Sequence, residues 1–443
     1  MYELLSSIDG YVWGPPLLIL LVGTGIYLSG RLGFIQMLKL PTAIRLIFTD
    51  NADEDGDISS FAALATALAA TIGTGNIVGV ATAIKLGGPG ALFWMWVAAF
   101  FGMATKYAEG LLAIKYRVTD ENGEKAGGPM YYITNGLGKK WKWLAILFSI
   151  FGTMTALFGS GTFTQVNSIT ESLRNTTGLS SQLVSPILAI LVGIIIFGGI
   201  QSISKVSEKV VPFMAAIYFL AALIVIIFNA HNLIPSLLLV FKSAFTGQAA
   251  MGGFAGAGFM LAIQSGVARG VFSNESGLGS APIAAAAART NEPVEQGLIS
   301  MTGTFIDTII ICTLTGLSII ITGAWSTDLN GAVLTQYAFS TIFGNIGQIA
   351  LAVSLVLFAF TTILGWSYYG ERCFEFLFGS KAIPLYRIIY VLMIAIGGYI
   401  SLETIWVLAD IVNGLMAFPN LVALLGLSPV IISETQTYFA RKK

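Results

Sequence analysis

Two short runs put hydrogen-bonding groups where a membrane-crossing chain has least use for them. Gly73-Thr74-Gly75-Asn76 lies at the centre of SSFAALATALAATIGTGNIVGVATAIKL, and Gly266, Gly270, Ser273, Asn274 and Glu275 lie at the centre of GFMLAIQSGVARGVFSNESGLGSAPIAAAA. Glycines there let a helix unwind, and an unwound turn in hydrocarbon leaves N–H and C=O groups at several kcal/mol each unless a ligand, ion or water takes them. The chemistry on offer is binding, with N–H donors for an anion and carbonyls for a cation. Glycines also serve close helix packing, but packing does not require Asn76 or Asn274. Gln165, in TMTALFGSGTFTQVNSITESL, and the adjacent hydroxyls of Thr361 and Thr362, in FAFTTILGW, add polar groups to apolar segments. Gln165 needs a partner, either in the same pocket or across a helix–helix contact.

The parts for catalysis are missing. The single histidine, His231, falls in a loop, no HExxH motif occurs and no Cys/His cluster forms, so neither a Ser/His dyad nor a transition-metal site is expected. Cys312 and Cys373 sit within or at the edge of apolar runs and read as buried thiols rather than a disulfide. The remaining intramembrane charges suggest pairing or gating. Lys106 and Glu109, three apart on one helix, read as an ion pair, while Arg269 and Glu275 flank the second break and either gate the cytoplasmic path or lock the bend. Asp307 and Asp410 read as proton or cation relays or as structurally paired groups.

The elements that must position these groups are membrane spans. With 443 residues, 55% of them hydrophobic and 10% charged, and a mean hydropathy of +0.81, the chain needs lipid as part of its solvent. About eleven apolar runs are long enough to cross ~30 Å of hydrocarbon. They fall near 12–30, 58–85, 90–115, 143–173, 183–203, 206–229, 253–288, 297–323, 347–378, 384–400 and 403–432, with interfacial helices expected at 233–247 and 332–344 and longer loops at 31–57 and 116–142. The opening residues show no cleavable signal, so the first run is expected to stay as a span. Almost all Lys and Arg side chains, from Arg31 to Lys443, fall on one side if the C-terminus is cytoplasmic, leaving only Lys85, Arg174 and Lys242 on the other. That sorting predicts an outside N-terminus. The acidic run 50–57 is expected to be a solvated inner loop, and zero net charge without a basic patch argues against nucleic acid.

After the first span, the two broken runs are the first and sixth of ten. An inverted five-plus-five repeat gives that arrangement, with discontinuous helices meeting at the midplane. The expected organisation is a single all-α transmembrane transport domain over 1–443, with an extra helix at 12–30 and repeats at 58–229 and 253–432.

The run GGPGALFWMWVAAFFG from Gly87 to Gly102 closely resembles the signature of the alanine/glycine:cation symporters, the sodium:alanine symporter family; GGPMYYI (127–133) and SNESGLGSAPIAAAAA (273–288) resemble it too. That resemblance implies a LeuT-type fold, a small neutral amino acid such as alanine or glycine as substrate, sodium coupling, and a plasma-membrane location with no obligatory protein partner. GTGN followed by GGPGALFWMW, and FAFTTILGW at 358–366, are similar to core helices of LeuT-type neurotransmitter:sodium symporters. Carried across, that likeness implies a sodium site from the carbonyls of Ala69, Ile72 and Phe358 and the hydroxyls of Thr361 and Thr362. The set contains no carboxylate, which implies a weak, releasable site and leaves lithium or proton coupling open, the latter through Asp307 or Asp410. For a zwitterionic substrate, the N–H groups of Gly73, Thr74, Gly75 and Asn76 would receive the carboxylate and carbonyls around Gly270, Phe272 and Ser273 the ammonium. Gln165 is placed in the same pocket, with Trp366 and Phe272 as its walls.

Overall fold

The computed structural model describes residues 2–49, 54–246, 255–399 and 402–442. The first residues of the acidic run, the start of the expected 253–288 span and Lys443 lie outside them. Helices make up most of the described residues. Among the described residues, eight helices are long and apolar enough to cross a bilayer, or nine if Ser60–Thr71 and Gly75–Gly87, bent 51° apart, form one span. The other two of the eleven expected runs do not meet that standard. One is Ser181–Ile196, only 16 residues long; the other is Ala255–Asn274, which carries Arg269 and stops at a break. The expected interfacial segments are helices, Leu233–Thr246 and Gly331–Phe343.

Local sequence explains the elements around the first break. Ser59 caps the Ser60–Thr71 helix by accepting the Ala62 N–H at 3.0 Å, and the following SFAALATALAAT is rich in strong helix formers. This helix packs closely on Asn345–Phe378, a 34-residue helix, because Gly365 has no side chain: a Cβ there would lie 2.7 Å from the Ala70 nitrogen. The close approach puts Thr362 beside Gly73. The 26-residue helix Gly90–Lys115 packs against both Ala255–Asn274 and Pro293–Thr304.

The 116–142 segment is more than a loop. Val118–Thr119 and Lys125–Ala126 form an antiparallel hairpin, and a short helix follows at Pro129–Tyr132. The Asp120 carboxylate shapes the turn by accepting the N–H groups of Asn122 and Glu124, both at 2.8 Å, and Gly123 supplies the positive φ of 84° that closes it.

Candidate functional site

The first break begins at Ile72, whose backbone turns extended (φ −74°, ψ 91°), and ends in a widened turn, Gly75–Gly79, that leads into Val80–Gly87. Asn76 organises it. Its Oδ1 accepts the Gly73 N–H at 2.8 Å, and its own N–H donates to the Gly73 carbonyl at 3.3 Å. Two of the four N–H groups expected to receive a carboxylate, those of Gly73 and Asn76, are thus already spent. A side chain that accepts the N–H of the residue three before it is the returning half of a capping box. The N–H groups of Thr74 and Gly75 find no protein acceptor among the described residues.

The same capping frees carbonyls. In a continuous helix the Gly73 N–H would bond the Ala69 carbonyl; here it turns to Asn76 instead. The Ile72 carbonyl accepts a long contact from Thr362 Oγ1 at 3.5 Å, and both Thr361 and Thr362 donate to the Phe358 carbonyl at 3.0 Å. Four of the five residues named for a cation, Ile72, Phe358, Thr361 and Thr362, are therefore linked by direct hydrogen bonds, with Ala69 one turn away; Thr361 also lies 3.5 Å from Met214 Sδ. Oxygen ligands of this kind suit a hard cation. Among the described residues no group of three or more His, Cys, Asp or Glu side chains could hold a metal.

Gln165 reaches this break. Its Nε2 donates to Thr74 Oγ1 at 3.2 Å and to the Ser160 carbonyl at 3.0 Å, while its Oε1 is buried with no partner among the described residues.

The second break lies further along the chain than the glycines suggest. Ala255–Asn274 is continuous, and the Glu275 N–H still reaches the Val271 carbonyl at 2.8 Å, so Gly270 lies within the helix and faces Met95 rather than exposing a free carbonyl. The chain turns at Glu275, Gly277 and Gly279, with φ of 57°, 88° and 82°, before Ala281–Ala285 resumes. The Ser276 N–H goes to Asn274 Oδ1 at 2.9 Å, and the N–H groups of Gly277 and Gly279 each go to Glu109 Oε1 at 3.1 Å. That leaves the carbonyls of Phe272 and Ser273 without their helical donors. The two breaks touch: a Cβ on Gly75 would lie 3.0 Å from Ser273 Cα and 3.4 Å from Phe272 Cδ1.

Lys106 and Glu109 form no ion pair; Glu109 is drawn to the second break and also accepts Asn420 Nδ2 at 2.6 Å. Buried Lys106 instead borders a small cavity with Asn274, Thr71 and Gln296. Arg269 lies within the Ala255–Asn274 helix and holds Asp410 in a forked pair (2.8 and 3.2 Å) beside Asp9 and Trp406, in an open vestibule of about 580 Å³ that Val78 and Gly79 also line. Phe272 and Trp366, the expected walls, pack on different partners. The Phe272 ring packs on Trp406 (centroids 6.3 Å), under the Arg269 guanidinium, whereas Trp366 packs on Tyr369 (5.5 Å) and against Gly161. The two cysteines are free and buried, as expected.

Asp307 is the residue whose position the sequence conceals. Fully buried in the wide turn Phe305–Cys312, it accepts Asn76 Nδ2 at 2.7 Å on Oδ1, and Ser273 Oγ at 2.9 Å on Oδ2. It joins the two breaks and brings them a carboxylate, although its intramembrane charge was the only signal.

The sequence profile of the sodium:alanine symporter family matches residues 1–443. A Haemophilus influenzae protein described as an uncharacterized transporter is 59% identical over 100% of this chain and 97% of its own length. The sodium/alanine symporter AgcS of Methanococcus maripaludis is 52% identical over 98% of this chain and 97% of its own length. A Bacillus subtilis protein named a probable sodium/glutamine symporter is 40% identical over 100% of this chain and 92% of its own. Among solved structures, MhsT in complex with L-phenylalanine superposes with a TM-score of 0.54 at 12% identity, covering 86% of this chain and 99% of that one. The fold is the LeuT-type one.

Proposed function

The chain belongs to the sodium:alanine symporter family, and on that premise we propose that it carries a small neutral amino acid, alanine foremost and glycine with it, into the cell together with sodium by alternating access. It is a multi-pass membrane transporter and not an enzyme. The observation that carries the reading is the first break. It presents two unspent N–H groups, at Thr74 and Gly75, on one side and the freed Ala69 and Ile72 carbonyls with Thr362 Oγ1 on the other. A substrate carboxylate suits the donors and sodium the oxygens, and the carbonyls of Phe272 and Ser273, left without helical donors, would accept the ammonium. Gln165 Oε1 adds an unspent acceptor close to Thr74.

The driving force is sufficient. One sodium entering across ~100 mV supplies ~2.3 kcal/mol, and a tenfold gradient adds ~1.4 kcal/mol, while the zwitterion crosses the potential without charge. The repeats are assigned to 58–229 and 253–432 with 12–30 as the extra helix, on the two broken helices being the first and sixth of ten, and the N-terminus is assigned outside and the C-terminus to the cytoplasm on the sorting of Lys and Arg. Asp307 favours a second reading, proton coupling, because it sets a buried carboxylate between the breaks.

Uptake of radiolabelled alanine into proteoliposomes separates the two. An imposed sodium gradient should drive accumulation and a proton gradient alone should not. Glycine and serine should compete and leucine should not. Accumulation driven by protons without sodium would replace the sodium reading, and equal competition by leucine or glutamine would remove the small-substrate reading.

A further inference from the structure

Where the first span ends, the chain builds a cleft that the transport site does not use. Pro15–Arg31 stops at Arg31, and the chain reverses through Gly33 and Phe34, with φ of 63° and 54°. A phenylalanine holds a positive φ only where its surroundings fix it. The Phe34 N–H bonds the Ser29 carbonyl and buried Gln36 Nε2 bonds Ser29 Oγ, both at 2.8 Å. The reversal leaves Phe34, Met37 and Leu38 exposed just after Arg31. The last helix, Ser428–Arg441, forms the far wall. An open cleft of about 470 Å³ lies between Arg31 and Leu32 on one side and Ile432, Thr435, Gln436 and Phe439 on the other.

The cleft is one-sided in charge. The acids at this end are engaged elsewhere, Glu434 with Lys115 (2.7 Å), Glu292 with Arg441 (3.0 Å) and Glu295 with Lys442 (2.8 Å). Arg31 and Lys39 meet aromatic rings instead. The Arg31 guanidinium lies 5.9 Å from the centre of the Tyr27 ring and the Lys39 ammonium 4.5 Å from that of Phe439, and among the described residues neither has a carboxylate within ion-pair distance. A ring offers no acceptor oxygen, so the N–H donors of both cations stay open to an anion. The two helices are also sparsely tied. Among the described residues their only side-chain hydrogen bond joins Tyr27 Oη and Ser428 Oγ at 3.2 Å.

We propose that this cleft binds an anionic phospholipid, whose phosphodiester pairs with Arg31 and Lys39 and whose acyl chains lie against the exposed side chains of the first span and the turn after it. A guanidinium fork takes two phosphate oxygens and an ammonium takes a third as a point charge. Gln436 adds amide donors on the far wall. The neighbouring hydrocarbon decides for a lipid over a free phosphate: Ile19 and Ile26 on the span and Phe34, Met37 and Leu38 at the turn are all exposed, and only an amphiphile uses both halves of such a surface. Basic pockets between spans, at the membrane surface, are where anionic headgroups are held. A lipid seated here touches the first span and the last helix together, so it stabilises the folded chain by binding it.

Lipid titration of the full chain in detergent tests this without relying on transport. Phosphatidylglycerol should bind and raise the thermal midpoint, phosphatidylcholine of the same acyl chains should do neither, and glycerol phosphate, the headgroup chemistry without the chains, should leave the midpoint where it was. Arg31→Gln combined with Lys39→Gln should weaken phosphatidylglycerol binding at least tenfold, the scale of two basic side chains at a membrane surface. Lys139→Gln with Lys140→Gln removes the same charge from an exposed turn outside the cleft and should leave binding unchanged. Gln436→Glu adds a carboxylate to the cleft at an exposed position and should weaken binding too, so a misfolded Arg31/Lys39 variant leaves the test intact. Equal stabilisation by phosphatidylcholine would overturn the selection for an anion, and equal stabilisation by glycerol phosphate the selection for a lipid. Unchanged binding in the cleft variants, or an equal loss in the Lys139/Lys140 variant, would overturn the cleft itself.

Discussion

The two breaks announce themselves in the sequence with the same materials, glycines and an asparagine, and resolve them in opposite ways. At the first, Asn76 caps Gly73 and leaves Thr74, Gly75 and the preceding carbonyls with polar groups that the protein does not fully use. At the second, Asn274 and Glu109 take up the N–H groups of Ser276, Gly277 and Gly279, and Asn420 donates both to Glu109 and to the Gly277 carbonyl (2.9 Å). A buried polar group without a partner costs energy that binding can recover; one already paired gains nothing from a ligand. On the function proposed above, the first break binds while the second chiefly holds, and the Phe272 and Ser273 carbonyls are what the second leaves without helical donors.

Glu109→Ala gives that contrast its largest expected effect. It strips two backbone donors and an amide of one shared acceptor, at ~1 to 3 kcal/mol for each group left buried and unpaired. The solubilised variant should show a clearly lowered thermal midpoint and poor expression. A variant of unchanged stability that has lost sodium dependence would mean that the second break is also a ligand site.

Thr361→Ala combined with Thr362→Ala attacks the other side of the comparison. Two of five named oxygen donors disappear, yet their hydroxyls bond only carbonyls and a thioether, so no charge is stranded. The sodium concentration for half-maximal uptake should rise about tenfold, equivalent to ~1.4 kcal/mol, with the thermal midpoint nearly unchanged. Unaltered sodium dependence would remove the cation from this break.

The first break was legible almost to the residue because its glycines and Asn76 share one turn. The second was misplaced because glycines carry two meanings. Gly266 and Gly270 serve close packing of their helix on Gly90–Lys115, against Ala91, Trp94 and Met95, while the turn itself uses Gly277 and Gly279 at positive φ. The alternation of Gly277 and Gly279 around Leu278, after a residue able to cap its own turn, was the signal available for the true position. Spacing on one helix suggested a pair between Lys106 and Glu109, but Glu109 is claimed by chain 168 residues away in sequence at Gly277. Asp307 joins Asn76 across 231 residues and Ser273 across 34, contacts that no local pattern encodes. Local chemistry was readable; which distant group answers it was not.

Gln165 offers the smallest and sharpest test, because it contacts the first break from outside the broken helix. Its Nε2 supports Thr74 and the Ser160 carbonyl, and its Oε1 is unspent, so Gln165→Leu removes both a brace and an acceptor from one side of the site. If Gln165 faces the amino acid, the apparent KM for alanine should rise a few-fold, an effect of ~1 kcal/mol for one hydrogen bond, while half-maximal sodium stays where it was. Gln165→Glu keeps the length and an acceptor, and so separates loss of an acceptor from loss of the brace. A fall in thermal midpoint with unchanged KM would make Gln165 a helix–helix contact only, and the binding face of the first break would then be confined to its own backbone.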